Sequence, residues 1–152
     1  MPAVLQSTTI FSFPIRVYYE DTDAAGVVYY ANYLKFFERA RTEWLRSLGF
    51  GQAQTASTDG KVFVVRAAST QYLKPARLDD ALTIRSQVTR VGRASLEFSQ
   101  WCERDGDVLA TGHIEIGCVA LHSLRPAAMP ADIASRLSEL FPARAGKSAA
   151  AQ

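Results

Sequence analysis

The stretch EDTDAAGVVYYANYLKFFERARTEW, from Glu20 to Trp44, places an acidic, turn-forming segment directly before a segment with helical periodicity. Apolar side chains in the second segment recur every three or four positions, and most of its charged side chains fall elsewhere, which predicts an amphipathic helix. We expect this helix to run from about Tyr33 to Leu48, with Gly49 as a left-handed cap at its end. About four turns of helix should therefore pack one apolar face against another layer of the protein.

Five other segments alternate apolar and polar side chains with period two, as strands do. The first covers residues 11–19, where Pro14 indicates that strand pairing is partly open. The other four lie after the helix, in residues 61–73, 81–91, 93–103 and 108–120. Turn signals at Gly92 and at Asp105-Gly106 favour tight hairpins, and we expect all four strands to follow one another as hairpins.

The remaining segments complete the predicted organisation. Residues 51–60 are rich in Thr, Ser, Gly and Gln and predict a loop, and a short helix is expected after Pro130. We expect a flexible N-terminus at residues 1–10, one domain at residues 11–142 and a flexible tail at residues 143–152. The element order predicts an α+β fold, with one five-stranded antiparallel sheet curled against one long helix. Because one helix covers only one face of the sheet, self-association is also expected.

Composition excludes several classes of function. The chain has 152 residues and a formal net charge of +2, with basic and acidic side chains interspersed, so we expect no nucleic-acid partner. Neither a secretory leader nor a transmembrane segment is indicated, and a cytoplasmic location is expected. The two cysteines, Cys102 and Cys118, fit no zinc spacing and are predicted to be buried, and neither a metal nor a cofactor is expected.

The segment before the helix has the residue types that acyl transfer needs. Gly26 permits backbone conformations that bring the chain close to a bound group. The first amides of the helix, in residues 30–32, lack partners within the helix and suit a developing oxyanion. Either Asp21 or Asp23 is placed to act as a base or nucleophile toward a carbonyl near Tyr30. The alternative is structural, since acids before a helix commonly cap it and Asp-Thr-Asp is an ordinary turn composition.

The stretch VYYEDTDAAGVVYYANYLKFFERARTEWL, from Val17 to Leu45, resembles the hotdog-fold acyl-CoA thioesterases of the 4-hydroxybenzoyl-CoA thioesterase type. Within that family it is most similar to the group associated with the bacterial Tol-Pal cell-envelope system. The likeness covers roughly residues 11–121. It implies a five-stranded antiparallel sheet wrapped around one long central helix, subunits that join their sheets edge to edge as a homodimer or homotetramer, and active sites at the subunit interface.

The resemblance also implies site residues and a substrate. The second acid of the D-x-D pattern is the catalytic one in the family and falls on Asp23, with Asp21 as a supporting neighbour. The backbone amide of Tyr30 matches the oxyanion donor. Asp23, as general base or nucleophile, is thus expected to hydrolyse acyl-CoA to the free acid and coenzyme A.

One departure from the family pattern concerns Tyr30, because many relatives carry histidine at that position. A phenol does not replace an imidazole as a proton shuttle near neutral pH, whereas a backbone donor survives the change. His113 and His122 are the only histidines, and neither is expected to take part in catalysis. A hotdog dehydratase is disfavoured because those enzymes rely on a histidine in the site. The main alternative is a non-catalytic subunit that binds acyl-CoA or an acyl carrier protein and works through an envelope-associated partner.

Several arginines are weaker candidates for substrate binding. Arg90 and Arg93 flank the Gly92 turn, and arginine is a side chain that binds phosphates such as those of coenzyme A. Arg39 and Arg41, with Glu38, lie on the predicted helix and could reach a ligand. A solvated or interface face of the helix is the simpler interpretation of these three.

Overall fold

The computed structural model describes residues 9–141, which form a sheet of five strands and three α-helices. In chain order they are β1 (Phe11–Arg16), α1 (Asn32–Ser47), α2 (Gln52–Asp59), β2 (Lys61–Tyr72), β3 (Ala81–Val91), β4 (Ser95–Arg104), β5 (Asp107–Ala120) and α3 (Ala131–Leu140). Positions 1–8 of the predicted flexible N-terminus lie outside the described residues. So do residue 142, the last of the predicted domain, and the predicted flexible tail at 143–152. Thr9 and Ile10 are exposed and have no regular structure.

The sheet is antiparallel throughout, in the order β1-β3-β4-β5-β2. The predicted α+β architecture, a five-stranded antiparallel sheet with helices, is confirmed. The expectation that β2 and β3 form a hairpin is wrong, because β2 pairs with β5 and β3 pairs with β1 and β4. Residues 73–80 carry the chain from one edge toward the other, anchored where the amides of Leu73 and Lys74 donate to the Leu109 carbonyl. Residues 73–80 do contain a turn at Arg77–Asp80, with Asp79 at φ +72°, but this turn directs the chain into β3 beside β1 and not back along β2.

Helix α1 forms where its periodicity predicts and packs mainly on β3, β1 and β4. Phe36 and Phe37 on its inner face are fully buried, and each contributes about 2 to 3 kcal/mol by leaving water. The packing under Phe37 is close, since a Cβ at Gly112 on β5 would lie 2.8 Å from its ring. Gly49 ends the helix with φ of +100°, as expected.

Helix α2 replaces the loop predicted for residues 51–60. Its sequence, QAQTASTD, has no apolar stripe, and Thr55 is its one buried residue. The helix is instead bounded by Gly51 in extended conformation and by Gly60 in the left-handed region. Hydrophobic periodicity gives no signal for a short helix of this kind.

Strand β1 is shorter than predicted, because residues Tyr19–Asp21 form one turn of 3-10 helix. The Asp21 carboxylate accepts a hydrogen bond from the Tyr18 amide at 2.8 Å, which stabilises this turn and diverts the chain from the sheet. The edge position expected for Pro14 is confirmed, since β1 pairs with β3 alone.

Strand β2 forms the other edge and is largely exposed. Val64 and Val65 on it are 38% and 52% exposed, which is high for apolar residues in a strand. Cys102 and Cys118 are buried free thiols, as predicted. Among residues 9–141, no helix is long and apolar enough to cross a membrane.

Candidate active site

The acidic segment between β1 and α1 folds into a narrow antiparallel ribbon. Thr22 pairs with Val28, and the Asp23 amide donates to the Val27 carbonyl at 2.9 Å. At the tip, the Gly26 amide donates back to the Asp23 carbonyl at 3.0 Å, with Gly26 at φ +80°. That backbone conformation suits glycine, so Gly26 closes the turn that holds Asp23.

Asp21 is a buried structural acid. Its side chain caps the preceding turn, and its backbone carbonyl accepts hydrogen bonds from the Tyr29 amide and from the Asn32 side chain, both at 2.9 Å. A buried carboxylate that caps a neighbouring turn is a poor candidate for attack on a substrate. This geometry fits the supporting role expected for Asp21.

Asp23, in contrast, is exposed on the ribbon. Its Oδ1 accepts a hydrogen bond from the Ala25 amide at 2.9 Å. Within the part of the chain that the structure describes, its carboxylate forms no ion pair. One carboxylate oxygen is thus oriented by the turn while the other remains available.

The start of α1 leaves two adjacent backbone donors without partners. The amides of Asn32, Tyr33 and Leu34 donate to carbonyls three positions earlier in the chain. The amides of Tyr30 and Ala31 donate to no acceptor within residues 9–141. These two free N–H groups at the positive end of the helix are suited to bind an oxyanion.

Aromatic rings connect this helix start to the edge strand β2. The Tyr30 ring lies 5.0 Å from that of Tyr29 and 5.9 Å from that of Tyr72, centroid to centroid. Tyr33 also contacts Tyr72 at 5.5 Å, and its hydroxyl accepts a hydrogen bond from the Ala76 amide at 3.2 Å. Burial raises the pKa of Tyr33, and the Ala76 bond partly opposes that rise. The Tyr30 phenol is therefore packed as one member of a tyrosine cluster.

The two hairpin arginines lie far from this cluster within one subunit. The Gly92 turn lies beside Ile116 of β5, whereas Tyr72 pairs with Ala110 of the same strand. Ile116 and Ala110 are about 20 Å apart along β5. Arg90 forms an ion pair with Glu97 at 3.1 Å. A role for Arg90 and Arg93 in binding coenzyme A stays a prediction, and it would require a second subunit to bring them near the ribbon.

Sequence reasoning missed two contributors to the candidate site. Asn32 was predicted to offer its backbone amide to an oxyanion, but that amide donates to the Tyr29 carbonyl, and the contribution of Asn32 is its side-chain bond to the Asp21 carbonyl. Tyr72 belongs to a segment that also resembles the family, but it was not assigned to the site, because its contact with Tyr30 depends on where β2 lies in the sheet.

Comparisons with known proteins identify the family of this chain. A family model described as the thioesterase-like superfamily matches residues 17–137. A protein of Haemophilus influenzae named acyl-CoA thioesterase YbgC is 43% identical over 130 residues, 86% of this chain and 96% of its own length. A 1,4-dihydroxy-2-naphthoyl-CoA hydrolase of Thermosynechococcus vestitus is 33% identical, covering 77% of this chain and 81% of its own.

Solved structures give the same result. The crystal structure of a probable thioesterase from Bartonella henselae superposes with a TM-score of 0.77 at 37% identity, over 80% of this chain and all of its own. The resemblance drawn from residues 17–45 is thus confirmed by comparison of whole chains. This chain therefore belongs to the thioesterase-like superfamily.

Proposed function

We propose that this protein hydrolyses the thioester bond of acyl-CoA, releasing a free acid and coenzyme A. The observation that carries the proposal is the pairing of an available carboxylate, Asp23, with two free amides at the start of α1. The Asp21 carbonyl, bonded to both Tyr29 and Asn32, fixes one side of the ribbon to the other. The names of the YbgC relatives support the same activity.

The chemistry requires these groups, the substrate and one water molecule. The thioester carbonyl oxygen accepts hydrogen bonds from the amides of Tyr30 and Ala31, which stabilise the negative charge that develops on it. Asp23 either removes a proton from an attacking water or attacks the carbonyl carbon itself, forming a mixed anhydride that water then cleaves. In both routes the thiolate of coenzyme A leaves and takes up a proton.

The proposal includes the finer architecture and the assembly. A hotdog arrangement has the sheet wrapped around α1 and the β2 edges of two subunits paired, as a homodimer or as half of a homotetramer. Its support here is the exposed edge of β2, where Val64 and Val65 lie beside unpaired backbone groups. Antiparallel pairing of β2 with its copy would bring one subunit's Phe63 end toward the other's Tyr72 end, near the ribbon.

The cellular setting in the proposal rests on resemblance. A cytoplasmic location beside the Tol-Pal system, with acyl-CoA or an acyl carrier protein as the donor of the thioester, follows from the likeness of residues 17–45 to that group. Co-purification of the endogenous chain with envelope components tests this part separately from the catalytic part.

The decisive experiment compares Asp23→Asn with Glu20→Gln, a neighbouring exposed acid in the same segment. Loss of the carboxylate should reduce kcat by at least about a hundredfold while acyl-CoA binding persists, and Glu20→Gln should retain normal turnover. Tyr30→Phe should lower kcat far less than Asp23→Asn, since the proposed donor is the backbone amide. Thiol release with a chromogenic trap measures all of these.

Two results would reject the mechanism. Near-normal turnover by Asp23→Asn removes Asp23 from catalysis, and an equal loss in Tyr30→Phe assigns a role to the phenol. Binding of acyl-CoA by the wild-type protein without thiol release would instead support the alternative of a non-catalytic binding subunit.

A further inference from the structure

A groove runs between helix α1 and the edge strand β2. At one end, Tyr72 of β2 contacts Tyr30 and Tyr33 at the helix start. At the other end, Phe63 of β2 and Leu45 of α1 line the same cavity. Strand β2 and helix α1 thus border both the candidate active site and this cavity.

The register of β2 shows which residues face this groove. Thr70 pairs with Gly112, the residue that lies directly beneath Phe37 of α1, so Thr70 and its neighbour Ala68 are on the helix side of the sheet. Ala68 is exposed, and so is Leu34 of α1, which is 40% accessible and lies on the same helix face as Glu38 and Arg41. The middle of the groove is thus apolar and bordered by a small side chain.

The far end of the groove opens into a cavity of about 90 Å³. Its walls are mostly apolar, and its polar members include Arg41, Glu38 and Thr42 of α1. Arg41 lies about three turns, roughly 16 Å, beyond Tyr30 along the helix. An extended acyl chain whose carbonyl rests at the helix start can span such a distance.

Arg41 is held in the cavity by a neutral partner. Its Nη1 donates to Oε1 of Gln100 at 2.9 Å, and Gln100 is fully buried. The Nε2 of Gln100 donates in turn to the Phe37 carbonyl at 3.0 Å and to the Ser86 hydroxyl at 2.8 Å. Every hydrogen-bonding group of Gln100 is thereby engaged, and the guanidinium is fixed in place.

Among the described residues, Arg41 forms no ion pair. Burial lowers the pKa of Arg41 to about 10, against the opposing influence of Glu38, so the side chain is still a cation near neutral pH. Glu38 is exposed and its Oε2 accepts a hydrogen bond from Thr42 at 3.0 Å. A partly buried cation whose hydrogen-bond partner is neutral favours an anionic ligand.

We propose that the acyl chain of the substrate lies in this groove and ends in a carboxylate that Arg41 binds. The preferred substrates would then be thioesters of dicarboxylic acids rather than of simple fatty acids. This inference rests on the proposed thioesterase function and specifies its substrate class. Arg41 acts as a specificity-determining residue, and Glu38 at the cavity mouth opposes the incoming charge.

The test measures selectivity with matched pairs of acyl-CoAs. Adipoyl-, suberoyl-, sebacoyl- and dodecanedioyl-CoA are compared with hexanoyl-, octanoyl-, decanoyl- and lauroyl-CoA as substrates of the full-length protein. At the length that spans the groove, the wild type should prefer the carboxylate-ended chain by about tenfold or more in kcat/KM. Arg41→Met should abolish that preference, Arg41→Lys should retain part of it, and Glu38→Gln should increase it.

Arg39→Met is the matched control, because Arg39 is an exposed arginine on the same helix that contacts the Phe36 ring outside the cavity. It should leave the preference unchanged. Binding of non-hydrolysable thioether analogues of the same pairs provides a second readout that does not need turnover. If the protein binds these analogues selectively but releases no thiol, the proposed function fails while the Arg41 subsite stands.

Three outcomes would overturn the inference. The first is a wild type that prefers the methyl-ended chain at every length. The second is an Arg41→Lys or Arg41→Met variant that is folded and has unchanged selectivity. The third is an Arg41→Met variant whose oligomer dissociates while its remaining activity keeps the wild-type selectivity. That result would make Arg41 an interface residue.

Discussion

The side-chain amide of Asn32 donates a hydrogen bond to the backbone carbonyl of Asp21 at 2.9 Å, and this buried contact joins the first residue of α1 to the acidic ribbon. The Tyr29 amide donates to the same carbonyl. Because Asp23 follows Asp21 and Tyr30 follows Tyr29, these two bonds set the distance between the proposed nucleophile or base and the proposed oxyanion donor. The spacing within the proposed site is thus fixed by hydrogen bonds among Asp21, Tyr29 and Asn32.

Asn32→Ala should weaken both stability and catalysis. Loss of a buried hydrogen bond should lower the free energy of unfolding by about 1 to 2 kcal/mol. The looser ribbon should lower kcat by about tenfold or more, with a smaller effect on KM. Thr22→Ala is the control, since it removes an exposed hydrogen bond to the Tyr19 carbonyl from the same segment. Denaturant titration measures the change in stability, and steady-state kinetics measure the change in kcat. Equal losses in Asn32→Ala and Thr22→Ala would contradict a positioning role for Asn32.

Gly26→Ala should perturb the ribbon through backbone strain. No atom lies within 4 Å of a Cβ built at this position, so crowding is not the cause. The cost comes from φ of +80°, which should destabilise an alanine by about 1 to 2 kcal/mol and move Asp23. Gly26→Asn should be milder, because asparagine adopts left-handed conformations more readily. Thermal unfolding and thiol release distinguish the variants, and an asparagine variant no better than alanine would argue against strain.

Periodicity and turn chemistry were sufficient to predict several elements of this fold. Strand β3 occupies the predicted residues 81–91, and α1 differs from its prediction by one residue at each end. Both have a strong apolar pattern and a clear boundary, so local sequence determines them. Asp105 and Gly106 both have positive φ, as the predicted tight turn requires.

The elements that were missed depend on tertiary structure. Helix α2 buries almost nothing, so it leaves no pattern in the sequence. The position of β2 depends on which strand it pairs with, and nothing in residues 61–73 specifies pairing with β5. For the same reason the groove between β2 and α1 was not predictable. The sequence did indicate free amides before the helix, because those follow from local geometry at a helix start. The choice of Asp23 over Asp21 came from the resemblance, and its catalytic role stays a prediction.

Asp80 and Arg104 provide a pH-dependent contribution to stability near the helix start. Arg104 donates to Asp80 Oδ2 at 2.7 Å and also to the Pro75 carbonyl, which anchors residues 73–80 and hence Ala76 beneath Tyr33. Burial raises the pKa of Asp80, but hydrogen bonds from the Arg77 amide and the Arg104 side chain outweigh it, so the net pKa is lowered.

A lowered folded-state pKa means that Asp80 stabilises the protein above its unfolded-state pKa of about 3.9, and that this contribution is lost as pH falls through the folded value. Asp80→Asn should therefore cost about 1 to 2 kcal/mol at neutral pH, with the difference from wild type shrinking below about pH 4. Asp79→Asn is the matched control, because Asp79 is exposed and its φ of +72° suits asparagine. Urea titrations across pH measure both variants. A difference for Asp80→Asn that stays constant down to strongly acidic pH would show that the carboxylate charge is not the stabilising feature.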